Sequence, residues 1–352
     1  AISHSFSFAI TAPALLAYFV AKFYQSGAHQ NSTFKWLVSS VWVFILGGIM
    51  MAINFLTYES SGSLNPWIFG GMILGIGALI YYLQRNYIEQ PLEDIDLSWR
   101  DWYWLFFWSI FTHPLLDSCT TYGTQLFQPF SDYRVAFNNV SVADPFYTVP
   151  FLICLLVARF LTRGSKARKW VNWAGIIISS AYLLWTVYNK FKVNAVFEKS
   201  LEKQGLVYSR YTTSPTILNN FLWTCTAEGD TEFYQGFYSI FDKKPEVQEF
   251  NVIPKNHALV KDYQNEEDFK TLRWFSKDYF AIIRRRDGEL QYNDLRFGIA
   301  NIEAKGDESD YIFGFILTED DDGNLHVEED RSAREQDMTG RFTDLLHRIR
   351  GD

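Results

Sequence analysis

The stretch 111–121, FTHPLLDSCTT, follows directly on the apolar run DWYWLFFWSI and places a histidine and an aspartate four residues apart. On a helix, residues at that spacing share a face, with Cβ atoms about 5–6 Å apart. The imidazole of His113 and the carboxylate of Asp117 could therefore hold one ion. Pro114 falls inside the pair; with Thr112 as N-cap and Pro114 in the first turn of a new helix its missing N–H costs nothing, so the pattern predicts a membrane helix that breaks at the motif. The plainer reading is a histidine at headgroup level and an aspartate capping a helix end. Ionisable side chains at membrane depth are costly and commonly functional, which brings the ligand reading level with the plainer one. His4, in AISHSFSFA, opens the first apolar run. Two histidines and a carboxylate are the usual protein ligands of a catalytic zinc site with an open water position. The alternative for His4 is a residue that merely starts a helix.

The elements that must carry these residues are read from apolar runs of about 20 residues, the length that spans a bilayer core as a helix. Six segments approach it: 6–24, 36–56, 67–84, 101–116, 145–162 and 170–189. Lys22 and Lys35, Arg85 and Arg100, and then Arg159, Arg163, Lys166, Arg168 and Lys169 fall in one set of alternate connections, whereas the other set holds Arg134 alone. Since Lys and Arg concentrate on the cytoplasmic side, this predicts a multi-pass membrane protein, and, if the cell is bacterial, one of the cytoplasmic (inner) membrane. The N-terminus, the 118–144 loop and everything after the sixth helix lie outside the cytoplasm, so His4 and His113 share the outer face.

Past Tyr188 the pattern changes from apolar runs to charge and alternation. NKFKVNAVFEKSLEKQG reads as a helix leaving the membrane, with Gly205 as its stop. Hairpin signals follow around Glu-Gly-Asp, Arg-Asp-Gly and Asp-Asp-Asp-Gly, with a helical stretch, NEEDFKTLRWFS, between the first two. The tail is acidic and places Phe342, Leu345, Leu346 and Ile349 at helical spacing, which predicts a short amphipathic helix docked on a neighbour. The expected fold class is thus a polytopic α-helical membrane domain of about six transmembrane helices, followed by a soluble α+β domain with antiparallel hairpins. The expected boundaries are 1–190 for the membrane part with the metal site, 191–318 for the extracytoplasmic α+β domain, and 319–352 for the tail.

The mean hydropathy of −0.09 blends these two halves. A net charge of −8 over 352 residues argues against general nucleic-acid binding, which needs clustered cations; membrane lipid is the expected partner. Three scattered cysteines, Cys119, Cys154 and Cys225, give neither a disulfide framework nor a cysteine zinc site. The chain opens on Ala1 with no signal-peptide pattern before the first apolar run, which suggests an N-terminally incomplete sequence.

Other residues of the 118–144 loop are weaker candidates. Arg134 could clamp a substrate phosphate or carboxylate, or pair with Asp132. Asp144 could be a further ligand or an acceptor behind one, or the N-cap of the fifth helix before Pro145. Thr121, with Thr120 and Tyr122, could supply hydroxyls around the site. His257 and His326 stand alone and read as core or surface histidines.

SHSF at 3–6, THPLLDSCTTYGTQLFQPFSDYRV at 112–135 and DPFYTVPF at 144–151 closely resemble the YdjM-type membrane-bound, metal-dependent hydrolases. The C-terminal part is similar to versions from Bacteroidetes-like bacteria, and the helices between about 36 and 84 look like an insertion. By this resemblance His4 is the second histidine of the family's first motif, and His113 with Asp117 form the second. The first motif's earlier histidine and arginine, and the upstream aspartates, have no counterpart after Ala1. The resemblance implies metal-assisted hydrolysis at His4, His113 and Asp117 with a divalent metal, zinc by donor type; the location of the site at the outer interface, by itself, suggests an amphiphilic or lipid-linked substrate. Two other readings fit the same residues: a membrane-anchored extracytoplasmic binding or assembly module, and an ion-coupled transporter that uses the buried His and Asp.

Overall fold

The structure is a computed structural model and describes residues 2–61, 66–91, 95–298, 308–319, 325–330 and 338–351. The expected Asp-Asp-Asp-Gly turn at 320–323 and part of the acidic tail lie outside the described residues. Each of the six apolar segments is helical: α1 (Phe6–Gln25), α2 (Ser32–Ser61), α3 (Pro66–Leu83), α4 (Trp99–Ser118), α5 (Pro145–Phe160) and α6 (Lys166–Lys203). Among the described residues, three stretches are long and apolar enough to cross a membrane: Phe6–Gln25, Ser32–Ala52 and Lys166–Lys203. The structure thus supports up to three spans where the apolar runs suggested about six. α5 is apolar but only 16 residues long. α4 is built largely of Trp, Tyr and Phe and opens with Arg100 and Asp101, a composition that suits an interface better than a bilayer centre.

The chain divides into two compact units, Ala1–His113 with Phe127–Asp132, and Pro114–Leu126 with Tyr133–Asp352. In the first, Ser5 caps α1 by accepting from the Phe8 N–H at 3.1 Å. α1 buries Ala9, Pro13, Ala17 and Ala21, one residue per turn on one face. Such a strip of small side chains lets another helix approach closely, and Trp102 of α4 packs on Ala17 and Ala21 while its ring stacks 5.4 Å from that of Tyr24.

In the second unit α5 and α6 meet where Gly175 leaves room: a Cβ there would stand 2.9 Å from the Cβ of Cys154. α6 then continues well past its apolar part. Its last turns bury Val193, Val196, Phe197 and Leu201, the i, i+3, i+4, i+8 face that an amphipathic helix presents to a core. That face lies against Trp223, Cys225, Ala227 and Tyr238 of a sheet and Val247 and Phe250 of the connection that follows them. The helix ends at Lys203, and Gly205 takes the left-handed conformation (φ +67°) that stops it.

Two antiparallel meanders follow. The first is β1 (Arg210–Pro215), β2 (Leu222–Glu228), β3 (Glu232–Ser239) and β4 (Asn251–Pro254); the second is β5 (Phe280–Arg284), β6 (Leu290–Asp294), β7 (Gly314–Glu319) and β8 (Leu325–Asp330). The hairpins expected around Glu-Gly-Asp and Arg-Asp-Gly are β2–β3 and β5–β6. α7 (Glu267–Ser276) lies between β4 and β5 in sequence and buries Phe269 and Leu272 against Phe280, Ile282 and Tyr292. The sheets share a core of Leu222, Phe233, Phe237 and Ile253 with Tyr279, Ala281 and Leu295. The amphipathic helix of the tail is α8 (Met338–Ile349); Leu345 and Ile349 join this core, and Arg348 forks onto both oxygens of Asp242 at 2.6 and 2.9 Å.

Gly236 in β3 shows how tightly the α6 side is filled. A Cβ there would meet Val247 at 2.7 Å and the Phe250 ring at 2.9 Å. Gly236→Ala should destabilise the sheets by about 1–3 kcal/mol, the usual cost of overpacking, and so lower the melting midpoint by several degrees in a circular-dichroism melt of the detergent-solubilised chain.

Candidate metal centre

His4 sits in a single helical turn, Ile2–His4, just ahead of the Ser5 cap of α1. The capping serine also fixes that turn, donating its hydroxyl to the Ile2 carbonyl at 2.8 Å. His113 lies near the C-terminal end of α4, and the two imidazoles face each other with ring centroids 5.1 Å apart. Aromatic packing holds the start of α1 against the end of α4: the Phe6 ring stacks 5.6 Å from Phe111 and meets Phe127 edge-on at 6.1 Å. Asp117 follows His113 by one turn of the same helix, so helix geometry sets its place beside the histidine. One ligand atom from each of His4, His113 and Asp117 falls within 4.8 Å of the others. His113 is exposed and the other two are half-buried, which leaves the group accessible to solvent and to a substrate.

The local helix differs from expectation. α4 runs unbroken through Pro114 to Ser118 instead of breaking at the motif, and Thr112 is not an N-cap: its hydroxyl donates back to the Trp108 carbonyl at 2.8 Å. The proline removes one N–H from the ladder, a loss that a helix end of this kind tolerates. Continuity places His113 and Asp117 on one face without a new helix start.

Two imidazole nitrogens and a carboxylate oxygen suit zinc and neighbouring divalent transition metals. The Ser3 hydroxyl lies 3.0 Å from Nδ1 of His4; when Nδ1 donates to it, the Nε2 lone pair is left for a metal. A partner of this kind orients a ligating histidine. Ser3 belongs to the SHSF motif but offers no sequence signal of its own for that role.

The remaining candidates have other work. The Arg134 guanidinium is buried, lies 4.7 and 4.8 Å over the rings of Trp274 and Phe275, and donates to the Phe275 carbonyl. Burial, with Arg296 nearby, pulls its pKa down to about 10. Asp132 accepts from the Gln128 amide. Asp144 is the N-cap of α5: one carboxylate oxygen accepts from the Phe146 N–H at 2.9 Å and the other from the Tyr182 hydroxyl at 2.7 Å. Thr121 is buried, and its carbonyl receives Arg296 at 3.4 Å. His326 is exposed beside Glu328.

The 118–144 loop that carries these residues is pinned at several points. Thr124 and Val135 exchange two backbone bonds of 2.9 Å, and the adjacent Gly123 (φ +66°) lies so close that a Cβ would stand 2.5 Å from the Val135 carbonyl. A chain of buried amides then ties the loop to α6 and the sheets: Asn139 donates to Thr186, Asn220 to the Asn139 carbonyl, and Asn189 to Asn220, at 2.8, 2.7 and 3.0 Å.

The apolar helices and the His/Asp group they carry define a helical membrane protein with a C-terminal part of two antiparallel sheets. Residues 1–193, more than half of the chain, match the family described as YdjM inner membrane protein, and the chain belongs to that family. No curated protein and no solved structure matches the chain.

Proposed function

We propose that the protein is a metal-dependent hydrolase of the bacterial inner membrane, with a divalent ion held by His4, His113 and Asp117. The observation that carries this reading is the convergence of two imidazoles and a carboxylate, drawn from two helices, to within 4.8 Å. When bound, such an ion lowers the pKa of a water towards 7 and polarises the scissile group. His4 and His113 bring neutral donors and Asp117 a negative charge, so the group holds a cation without cancelling it. Exposure of His113 leaves room for a substrate. The centre stands at the end of an aromatic-rich helix, where an apolar chain and a polar headgroup can both be accommodated, which favours an amphiphilic or lipid-linked substrate. The Lys and Arg asymmetry of the short connections favours a multi-pass arrangement with the centre and the C-terminal sheets outside the cytoplasm.

The test is elemental analysis of the detergent-purified protein together with hydrolysis of p-nitrophenyl phosphate. The expected result is one divalent ion per chain, with turnover lost in chelator and restored by zinc. Turnover that survives complete metal removal would overturn the reading and leave the helices as an anchor for the sheets.

A further inference from the structure

A second, separate site lies on the sheets. Arg210, Glu228, His257, Gln264, Arg273, Asp278 and Phe280 line a cavity of about 380 Å3, a size typical of small-molecule sites. Its wall is mostly polar, with Phe280 the one apolar residue in it, which sets it apart from the apolar pockets that hold drug-like ligands. Two guanidiniums face it, and both are preset. Arg210 lies 4.3 Å over the Tyr279 ring, with Nε on Glu228 at 2.5 Å and Nη1 on the Lys277 carbonyl at 3.0 Å. Arg273 is held by Asp278 at 2.6 Å and Gln264 at 3.0 Å.

These bonds leave the Nη2 edge of each guanidinium without a hydrogen-bond partner among the described residues. The two side chains are 42% and 40% exposed, so those edges are open to a ligand. The lining sets two guanidiniums, Arg210 and Arg273, against two carboxylates, Glu228 and Asp278, and Lys255 shares Glu228 from behind at 2.8 Å. The open guanidinium edges call for an anion, and Arg forks match oxyanions in geometry as well as charge.

Acceptors complete the wall. His257 stacks on Phe280 at 4.0 Å, and its Nε2 lies 2.9 Å from the Phe280 carbonyl, so Nε2 carries the proton and Nδ1 is an acceptor. Burial holds this imidazole below its ordinary pKa, hence neutral at pH 7. The Asp278 carboxylate also accepts. A ligand that satisfies the whole wall presents an oxyanion to the arginines and hydroxyl donors to His257 and Asp278.

We propose that this cleft binds a small polyhydroxylated anion, a sugar bearing a phosphate or a carboxylate, with Arg210 and Arg273 gripping the oxyanion.

The test is calorimetric titration of the full-length protein in detergent with glucose 6-phosphate, glucuronate and glucose, each in excess EDTA so that the metal centre does not contribute. Saturable binding of either anionic sugar, with glucose at least about tenfold weaker, is the expected result, since one charge-assisted bond is worth about that factor. Binding of only one of the two identifies the oxyanion as phosphate or carboxylate. Arg273→Gln and Arg210→Gln should each weaken binding about tenfold or more, with near-ultraviolet circular dichroism confirming that the sheets stay folded. The proposal is overturned if neither anion binds, if glucose binds as well as they do, or if both folded variants bind like the parent.

Discussion

On the proposed function, replacing His113 by alanine should strip the divalent ion from the purified protein and lower p-nitrophenyl phosphate turnover by about a thousandfold or more. The magnitude follows from what a catalytic ion contributes: several kcal/mol of stabilisation, each 1.36 kcal/mol being a factor of ten in rate. His113 should matter most because it is the middle ligand. It faces the His4 ring at 5.1 Å and shares a helix face with Asp117, so its loss leaves two donors that helix geometry no longer bridges. Asp117→Asn keeps the shape but removes the charge, and should weaken metal retention less than His113→Ala does. Ser3→Ala should act on affinity alone. Its hydroxyl, 3.0 Å from Nδ1 of His4, orients the ring, and losing such a partner costs about 10–100-fold in metal binding, with turnover restored at saturating metal. The graded order is the informative outcome. Equal effects from all three substitutions would point to a local unfolding of the α1 start instead of a metal centre, and an unaffected His113→Ala protein would remove the ion from the mechanism.

Legibility in the sequence tracked how local each feature is. His113 and Asp117 could be paired from spacing because four residues on a helix always share a face. His4 needed a topology argument and the motif resemblance, since its neighbour lies more than a hundred residues away. The expected break at Pro114 rested on the proline's missing N–H; the structure keeps α4 whole because a single lost bond does not end a helix whose flanking turns are intact. The hairpins β2–β3 and β5–β6 were legible from turn residues between alternating runs. β1 and β4 were not: RYTTSP and NVIP are short and end in proline, and each finds its place only by pairing with an already formed neighbour. Arg134 read as a substrate clamp or a partner of Asp132, because the rings that cover it, Trp274 and Phe275, come from α7, far along the chain. The cleft around Arg210 and Arg273 was invisible for the same reason, as no local pattern joins residues from β1, β2 and α7.

Asp294→Ala should be the most destabilising single change in the sheets, by about 3–5 kcal/mol, because it strands a buried charge. The Asp294 and Arg296 side chains are 0% and 3% exposed and meet through two parallel bonds of 3.0 and 2.6 Å. The guanidinium also reaches the Thr121 carbonyl and lies over the rings of Phe275 and Phe297, so without the carboxylate it has no route to water. Arg134 also feels the loss. The charges of Arg296 and Arg134, added to burial, already push Lys277 down to about 8, and Asp294 is the carboxylate that opposes this repulsion at Arg134. At roughly 2–4 °C per kcal/mol for a unit of this size, the melting midpoint at pH 7 should fall by about ten degrees. A lysine whose folded pKa lies below its unfolded value of about 10.4 makes the protein more stable as pH rises through the folded value. Parent and Asp294→Ala alike should therefore gain stability between pH 7 and pH 9, as Lys277 sheds its proton. The double variant Asp294→Leu with Arg296→Met removes both charges and should melt well above the single one, because a buried pair replaced whole is close to neutral. Glu267→Ala, which breaks a surface pair whose side chains are 49% and 88% exposed, should change stability by less than about 0.5 kcal/mol. If the double variant melts no higher than Asp294→Ala, the lost stability lies in the bonds to Thr121 and the backbone and not in the stranded charge.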